Sequence, residues 1–248
     1  MTTRVALVGA SGKLGRIIGS VIEQLDGFET VAVLGSSSGQ DELDGVDLIV
    51  DASTPASSAE VVRAAAERGT NLLVGTSGWS AERIDQVRPV IAEAGIGVLF
   101  VPNFSLGSVL GTVLATLAAP FFGSIEIVEA HQHTKIDSPS GTAVRTAELI
   151  AAARTAQGPV DAPHTDQRAR GQQVAGIPVH ALRRPGVIAK QEVILSGAGE
   201  SLSIVHDTVQ PAAAYAPGIR LALPYARDLR GIAIGLENVI DLGIRPRT

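Results

Sequence analysis

The chain has no cysteine among its 248 residues, and only 3% of its residues are aromatic. The absence of thiols excludes disulfides, thiol catalysis and cysteine-ligated metals. The scarcity of aromatic rings leaves few stacking platforms for bases, and the net charge of −5 with scattered basic residues argues against nucleic acid as a partner. No cluster of His, Asp and Glu has the spacing of metal ligands, so we predict no metal.

Long hydrophobic runs are also absent. The longest apolar stretch, residues 109–122, is interrupted by glycine, threonine and proline, and it is too short to span a bilayer. The first apolar strand begins at Val5, which leaves no room for a signal peptide. We therefore expect a cytoplasmic protein without membrane insertion. The 45% of hydrophobic residues are ample for a sizeable core in one or two domains.

The first hundred residues alternate short apolar strands with helical segments, which is typical of an α/β fold with a parallel sheet covered by helices. The strand patterns lie at 5–8, 30–34, 48–51, 71–74 and 97–101. Beyond residue 105 the pattern changes to a long apolar helix and then a strand that leads to two histidines. A polar stretch at 157–176 is interpreted as a mobile loop, and three alternating runs after it indicate antiparallel pairing.

A glycine-rich loop follows the first strand and opens the first helix. Three glycines at a spacing of three permit a tight turn, close approach of the backbone to a pyrophosphate, and close packing of helix on strand. This context favours a dinucleotide site over a plain tight turn. The residues of the predicted site are Gly9, Ala10, Ser11, Gly12, Lys13, Leu14, Gly15 and Arg16.

The end of the second strand bears on the choice of cofactor. Sites for NAD carry an acidic residue about twenty residues after the glycines, which binds the ribose hydroxyls. Residues 34–38 hold no carboxylate here but three serines, of which Ser36 is a candidate contact. With Lys13 and Arg16 nearby, a 2′-phosphate is tolerated. We therefore expect NADPH to be used at least as well as NADH.

Two further loops follow strands of the same predicted sheet. Gly75, Thr76 and Ser77 come after the strand at 71–74, and the second loop, Pro102, Asn103 and Phe104, comes after the strand at 97–101. Both positions are carboxyl ends of parallel strands, where ligands of open α/β sheets bind. Each loop taken alone is equally consistent with an ordinary turn.

Residues 129–143 combine groups that suit a small carboxylated substrate which must also receive a proton. His131 and His133 close an alternating run, so we expect their side chains to share one face of a strand. Lys135 lies just beyond, and a helix start is predicted after it, capped by Ser138 or Ser140, with small residues whose N–H groups can bind an anion. The alternative is a strand end with solvated polar residues and an ordinary capped helix.

These segments, in this order and at these separations, resemble the dihydrodipicolinate reductase family over essentially the whole chain. The loop at 102–105 and the run at 137–143 are specific to the likeness, whereas the glycine loop is generic. The resemblance implies a Rossmann-type doubly wound parallel sheet with a second α+β domain that carries an open mixed sheet. Residues 1–104 and 216–248 would form the dinucleotide-binding domain, and residues 105–215 the domain for substrate binding and assembly into a homotetramer.

The family reduces an unsaturated cyclic imine dicarboxylate of the lysine and diaminopimelate pathway with NADH or NADPH. By resemblance, His131 takes the place of the general acid, and Lys135 takes that of a cation that contacts the substrate. The places that hold a substrate carboxylate fall on Ser140, Gly141 and Thr142. The two loops at 75–77 and 102–104 would hold the nicotinamide end of the cofactor.

One residue departs from the family pattern. The family usually has two adjacent histidines here, and this chain has Gln132 at the second, a substrate-binding position. Glutamine can hydrogen-bond a carboxylate but brings no charge. Two alternatives to the family reaction therefore stay open: a reductase of the same build that acts on another cyclic imine or unsaturated acid, and a non-catalytic dinucleotide sensor. Retention of His131 and Lys135 argues against the sensor.

Overall fold

The structure is a computed structural model that describes residues 1–35 and 38–242. The chain forms two compact units, one of residues 1–104 with the C-terminal part from Tyr215, and one of residues 105–214. The second boundary was predicted one residue later. What each unit binds stays a prediction at this stage.

The elements alternate in the first unit and cluster by type in the second. The strands are β1 (Thr3–Val8), β2 (Phe28–Leu34), β3 (Leu48–Asp51), β4 (Asn71–Val74), β5 (Gly97–Phe100), β6 (Ser124–His131), β7 (Gln172–Val174), β8 (Ile177–Arg183), β9 (Ala189–Ser196), β10 (Ser201–Thr208) and β11 (Gly231–Ile234). The helices are α1 (Lys13–Ile22), α2 (Ser58–Glu67), α3 (Ala81–Ala94), α4 (Leu106–Ala118), α5 (Gly141–Ala153) and α6 (Pro211–Asp228).

The first unit contains a parallel sheet of six strands in the order β11-β5-β4-β3-β1-β2. All residues of β3, β4 and β5 are buried, as expected of strands in the middle of a sheet with both faces covered. The chain order reverses between β1 and β3, and ligands of such sheets bind at the carboxyl ends of the strands beside this reversal. The predicted Rossmann-type sheet is confirmed.

The second unit contains a five-stranded sheet in the order β10-β9-β6-β8-β7. Its central strand β6 pairs in parallel with β8 and antiparallel with β9, so the predicted mixed sheet is confirmed. The prediction of antiparallel pairing for the three later runs holds for β9 and β10, whereas β8 pairs antiparallel with β7 but in parallel with β6. Strand β8 returns to the far side of β6 instead of forming a hairpin with β9.

The interpretation of residues 157–176 as a mobile loop is corrected in part, because this stretch contains strand β7. Strand β7 pairs antiparallel with β8 through a turn at Ala175 and Gly176, whose φ angles are 50° and 83°. Positive φ at both central residues matches the right-handed twist of a hairpin. Alanine is an unusual residue there, which is why the pattern did not predict the hairpin.

Each unit has its own apolar core. The first core packs around β3, β4 and β5 with α2 and α3, and the second packs α4 and α5 on one face of the mixed sheet. Within residues 1–35 and 38–242, none of the helices has the length and apolar character needed to cross a membrane. In the same part of the chain no three His, Asp or Glu side chains cluster as they would around a metal ion.

Candidate active site

A buried carboxylate lies at the centre of the predicted catalytic segment. The side chain of Glu129 is 0% exposed. Its Oε2 lies 2.6 Å from Nδ1 of His131 and accepts from Nη1 of Arg183 at 2.9 Å. Its Oε1 accepts from Nη2 of Arg183 at 2.9 Å and from the backbone N–H of Ser140 at 3.1 Å. One carboxylate thus joins the predicted proton donor, an arginine and the start of α5.

Strand geometry explains how these groups meet. Glu129 and His131 are two residues apart on β6, so their side chains project from the same face. The parallel register of β6 with β8 places Arg183 beside His131. The guanidinium therefore reaches the carboxylate across neighbouring strands, although 54 residues separate Glu129 and Arg183 in the chain.

The partners keep Glu129 ionised. Burial acts to raise the pKa of Glu129, because a charged carboxylate loses its hydration. The hydrogen bonds and positive charges of His131 and Arg183 outweigh that effect and lower the pKa from 4.5 to about 2. Glu129 therefore stays negatively charged at neutral pH, paired with the Arg183 guanidinium.

Lys135 lies in the turn after β6, where its backbone N–H donates to the carbonyl of Gln132 at 3.0 Å. Its Nζ donates to Oδ1 of Asp137 at 2.8 Å. Burial acts to raise the pKa of Asp137, and the hydrogen bond and charge of Lys135 lower it below its ordinary value. Arg183 also donates to the carbonyl of Asp137 at 2.7 Å, which ties this turn to the Glu129 cluster.

Of the two predicted caps, Ser138 and Ser140, it is Ser140 that caps helix α5. The Ser140 Oγ accepts from the backbone N–H of Ala143 at 3.2 Å, and Gly141 and Thr142 form the first turn. Gly141 is exposed, and Thr142 is half-buried. The helix start thus lies beside the His131 cluster, where an anion would meet backbone N–H groups and the positive end of the helix dipole.

The turn after β6 corrects one expectation. The strand ends at His131, and Gln132 and His133 lie in the turn, both exposed. The alternation does not extend to His133, so the two histidines do not share a strand face. The pattern missed this because nothing in the sequence between Ala130 and Thr134 marks the strand end.

The loop after β1 has the shape that a pyrophosphate requires. Gly9 has a φ of 81°, and a Cβ there would lie 2.6 Å from the carbonyl carbon of Ala52. A Cβ at Gly15 would collide with the carbonyl oxygen of Gly9. Gly12 is the cap residue of α1, and no side chain of the described residues caps this helix. The backbone N–H groups of its first turn can therefore bind a phosphate, and the loop fits a dinucleotide.

Three predicted cofactor segments meet at one place in the first unit. A Cβ at Gly75 would lie 2.8 Å from the ring of Phe104 and 3.0 Å from Leu14. The Oγ1 of buried Thr76 donates to the carbonyl of Asp51 at 3.4 Å. The structure thus brings together the loops after β1, β4 and β5.

The other predicted cofactor residues differ in exposure. Ala10 and Asn103 are partly exposed. The exposed residues of the set are Ser11, Lys13, Arg16, Ser77 and Pro102. Ser36 lies outside the described residues.

A second buried carboxylate, which the sequence did not indicate, ends strand β3. Asp51 is 0% exposed and accepts from the backbone N–H of Ser53 at 2.9 Å and from the hydroxyl of Ser58. The Trp79 indole donates to the Ser58 hydroxyl at 2.9 Å and packs against Phe100. Trp79 is thus a packing residue, and the network braces the loop at 75–77.

Sequence reasoning missed Glu129 and Arg183 as members of the site. Glu129 lies two residues before His131, and acidic residues that orient histidines often lie near them in space, so a signal existed. Arg183 stands in the sequence Leu-Arg-Arg-Pro, where nothing distinguishes it from a solvated residue. Only the pairing of β6 with β8 brings it to the site.

Models of the dihydrodipicolinate reductase N-terminus and C-terminus match residues 3–104 and 107–240 respectively. A 4-hydroxy-tetrahydrodipicolinate reductase of Clavibacter sepedonicus is 55% identical over 249 residues, which cover 100% of this chain and 90% of the relative. The enzyme of that name from Streptomyces coelicolor is 41% identical over 246 residues, which cover 96% of this chain and 98% of the relative.

A solved structure agrees with the sequence relatives. The dipicolinate-bound dihydrodipicolinate reductase from Paenisporosarcina sp. TG-14 matches with a TM-score of 0.81 and 28% identity, covering 97% of this chain and 100% of that one. The resemblance inferred from the sequence is therefore confirmed. The chain belongs to the dihydrodipicolinate reductase family.

Proposed function

We propose that the protein reduces 4-hydroxy-tetrahydrodipicolinate to tetrahydrodipicolinate with NAD(P)H, as a cytoplasmic enzyme of lysine and diaminopimelate biosynthesis. The observation that carries this proposal is full-length similarity, up to 55% identity, to reductases of that name. The reaction consumes one hydride and one proton and releases one water. The first unit would bind the dinucleotide, which supplies the hydride, and the second unit would bind the dicarboxylate.

His131 is the proposed proton donor. Hydride addition to a conjugated imine leaves an electron pair on carbon or nitrogen, and an imidazolium can protonate that atom. The Nδ1 of His131 faces Glu129 at 2.6 Å, so Nε2 is the atom that would hand over the proton. Because Glu129 is ionised, it can accept a hydrogen bond from the Nδ1–H of His131 and thereby orient the ring.

The substrate carboxylates would be held by two kinds of group. Lys135 supplies a positive charge, and the start of α5 supplies the backbone N–H groups of Gly141 and Thr142, while the N–H of the cap residue Ser140 already donates to Glu129. The ion pair of Lys135 with Asp137 is exposed on the Asp137 side, so a substrate carboxylate can share the ammonium or displace Asp137. Gln132 would add a neutral hydrogen bond.

The dinucleotide would lie along the loops after β1, β4 and β5. The first turn of α1 would bind the pyrophosphate, and the loops at 75–77 and 102–104 would hold the nicotinamide end. Lys13 and Arg16 are exposed beside the helix start, where they would attract a 2′-phosphate. We therefore expect NADPH to be used at least as well as NADH.

The decisive experiment follows oxidation of NADPH by absorbance, with substrate generated freshly from its precursors. Rapid oxidation that depends on the substrate supports the proposal. Tight binding of NADPH without oxidation would instead favour the dinucleotide sensor. Oxidation with another cyclic imine but not with this one would favour the alternative reductase, for which the neutral Gln132 is the only specific argument.

The assembly is proposed to be a homotetramer formed through the second unit. Strand β10 is an edge of the mixed sheet, and Leu202 and Val205 on it are 40% and 53% exposed. Exposed apolar residues on an edge strand need cover from another chain. Light scattering at micromolar concentration should give four times the 25.5 kDa of one chain, and a monomeric mass would contradict the proposal.

A further inference from the structure

Glu129 has a complete set of partners although it touches no solvent. Both of its oxygens accept two contacts each, from the imidazole of His131, the two terminal nitrogens of Arg183 and the backbone of Ser140. A buried carboxylate is costly unless it is paired and hydrogen-bonded in this way. The cluster therefore fixes the carboxylate in one position and one charge state.

That charge state decides where the protons of His131 lie. An ionised carboxylate can only accept a hydrogen bond, so the Nδ1 that faces Glu129 at 2.6 Å must carry hydrogen. In the neutral ring Nε2 is then the bare nitrogen, and in the imidazolium Nε2 holds the proton that can leave. A carboxylate that orients a histidine in this manner sets both its tautomer and the direction of its ring.

We propose that Glu129 is the positioning residue of His131 and that Arg183 is the clamp that holds Glu129. This inference rests on the proposed reduction. In the transfer step the Nε2–H bond of the imidazolium breaks, its electron pair stays on Nε2, and the electron pair left on the substrate by hydride addition forms the new bond to hydrogen. Glu129 takes up no proton, and the ring ends neutral with hydrogen on Nδ1.

The ion pair with Arg183 explains why the proton stays on the ring. Arginine remains charged at all working pH values, and its two terminal nitrogens hold both carboxylate oxygens. With a pKa of about 2, Glu129 does not compete with His131 for the proton in neutral solution. Arg183 also holds the carbonyl of Asp137, so the same clamp fixes the turn that carries Lys135.

The same strand provides a matched control. Glu126 accepts from Nη2 of Arg170 at 2.5 Å and lies 2.7 Å from Nε2 of His180. It thus repeats the trio of carboxylate, arginine and histidine. Three residues separate Glu126 from Glu129, so the two project from opposite faces of β6. Glu126→Gln therefore removes a similar ion-pair cluster without touching His131.

The kinetic test compares Glu129→Gln with Glu126→Gln. Mispositioning the proton donor should cost part of the rate that the donor supplies, so kcat of Glu129→Gln should fall by at least about tenfold and by no more than the roughly 10²–10⁴-fold expected of His131→Ala. Its KM should change far less, and Glu126→Gln should keep a kcat near that of the wild type. A wild-type kcat in Glu129→Gln would overturn the inference, whereas an inactive wild type would overturn the proposed function instead.

A spectroscopic test needs no substrate. The ¹⁵N shifts of the His131 ring, assigned by their loss in His131→Ala, should show hydrogen on Nδ1 and a bare Nε2 in the neutral form of the wild type. The amide of Glu129→Gln can donate as well as accept, so the Nε2–H tautomer should appear. Glu126→Gln should leave these signals unchanged. A fall in kcat with an unchanged tautomer would reduce Glu129 to a structural role and overturn the inference.

A second variant guards against misfolding. Glu129→Gln leaves the Arg183 guanidinium without its anion, which can prevent folding. In that case the double variant Glu129→Gln with Arg183→Met removes the unpaired charge as well. It should fold, lose the fixed tautomer and show the same fall in kcat. Retention of both the tautomer and the rate in the double variant would overturn the inference.

Discussion

Helices α1 and α5 both begin after a strand and a turn, yet their N-terminal ends are built differently. Helix α1 follows Gly12 and has no side-chain cap among the described residues. Helix α5 is capped by Ser140, whose own N–H donates to the buried Glu129 carboxylate at 3.1 Å. The N-terminal end of α1, called the first start below, can bind an anion from outside the protein with its backbone N–H groups. The N-terminal end of α5, the second start, is already hydrogen-bonded to a carboxylate of the protein.

The difference is consistent with the two kinds of anion site that we propose for the cofactor and the substrate. A pyrophosphate needs space and free N–H groups, and glycines provide both. The substrate carboxylate has to be placed next to a proton donor, so the second start is linked through Glu129 to His131. We expect changes at the first start to affect cofactor affinity and changes at the second to affect turnover.

The largest effect should come from His131. In His131→Ala, kcat should fall by roughly 10²–10⁴-fold, because the proposed proton donor is removed. The dissociation constant of NADPH should stay unchanged, since the α1 start is intact. Lys135→Ala should lower kcat and raise KM together, because its charge acts before and during the reaction. His133→Ala, an exposed turn residue, is the control, and near-normal turnover in His131→Ala would remove this residue from the mechanism.

Acid should weaken the second unit through Glu129. The folded pKa of about 2 lies below the ordinary 4.5, so the stabilisation is complete above pH 4.5 and is lost as the pH falls through about 2. The shift corresponds to a contribution on the order of 3 kcal/mol to the free energy of unfolding. Denaturant unfolding between pH 5 and pH 2 should show this loss in the wild type and not in Glu129→Gln. Parallel pH dependence in the two proteins would contradict the prediction.

Gly15→Ala should disturb the packing of the α1 start against the glycine loop. The new methyl group would collide with the carbonyl oxygen of Gly9, so we expect a loss of about 1–3 kcal/mol in the free energy of unfolding and weaker dinucleotide binding. Gly19→Ala is the matched control one turn later. Its methyl group would lie 3.6 Å from Leu7, an ordinary contact, and alanine favours the helix. Equal NADPH affinities in the two variants would show that Gly15 is not needed for the site.

Local patterns were enough to predict most of the first unit. Strand β4 was predicted to the residue, because an apolar run between polar turns is a signal within one short stretch. The glycine loop was found for the same reason. Phosphate binding by this loop depends on the shape of its backbone, and the glycines in the sequence indicate that shape directly.

The second unit depended on contacts that local patterns do not contain. The parallel pairing of β8 with β6 decides that Arg183 meets Glu129, and neither residue carries a mark of it. The end of β6 at His131 depends on where the partner strands end. The sequence therefore predicted His131 and Lys135 as site residues, from their pattern and by resemblance, but not the carboxylate that connects His131 to α5.

Replacing the exposed cations near the start of α1 should have a smaller effect, confined to the affinity for NADPH. Lys13→Ala and Arg16→Ala should each raise KM for NADPH by about 2–5-fold, because exposed ion pairs are weak. KM for NADH should stay unchanged, which makes NADH the internal control. The ratio of kcat/KM values for the two cofactors is the measurement. An equal rise for both cofactors would show that these residues do not contact a 2′-phosphate, and a preference for NADH of about tenfold or more in the wild type would contradict the expected use of NADPH.

The smallest effect is expected at Gln132, and it tests whether the second start extends into the turn after β6. Gln132 is exposed, and its carbonyl accepts from the backbone N–H of Lys135 at 3.0 Å, so its backbone is held while its side chain faces solvent. Gln132→His should lower KM for the dicarboxylate two- to threefold, since a partly solvated charge contact contributes about 1 kcal/mol or less. The gain should be larger at acidic pH, where the added imidazole is charged. If the natural substrate is another acid, the same change should impair its use. An unchanged KM with an unchanged pH profile would show that position 132 does not touch the substrate, and the anion site of the second unit would then end at Lys135 and the start of α5.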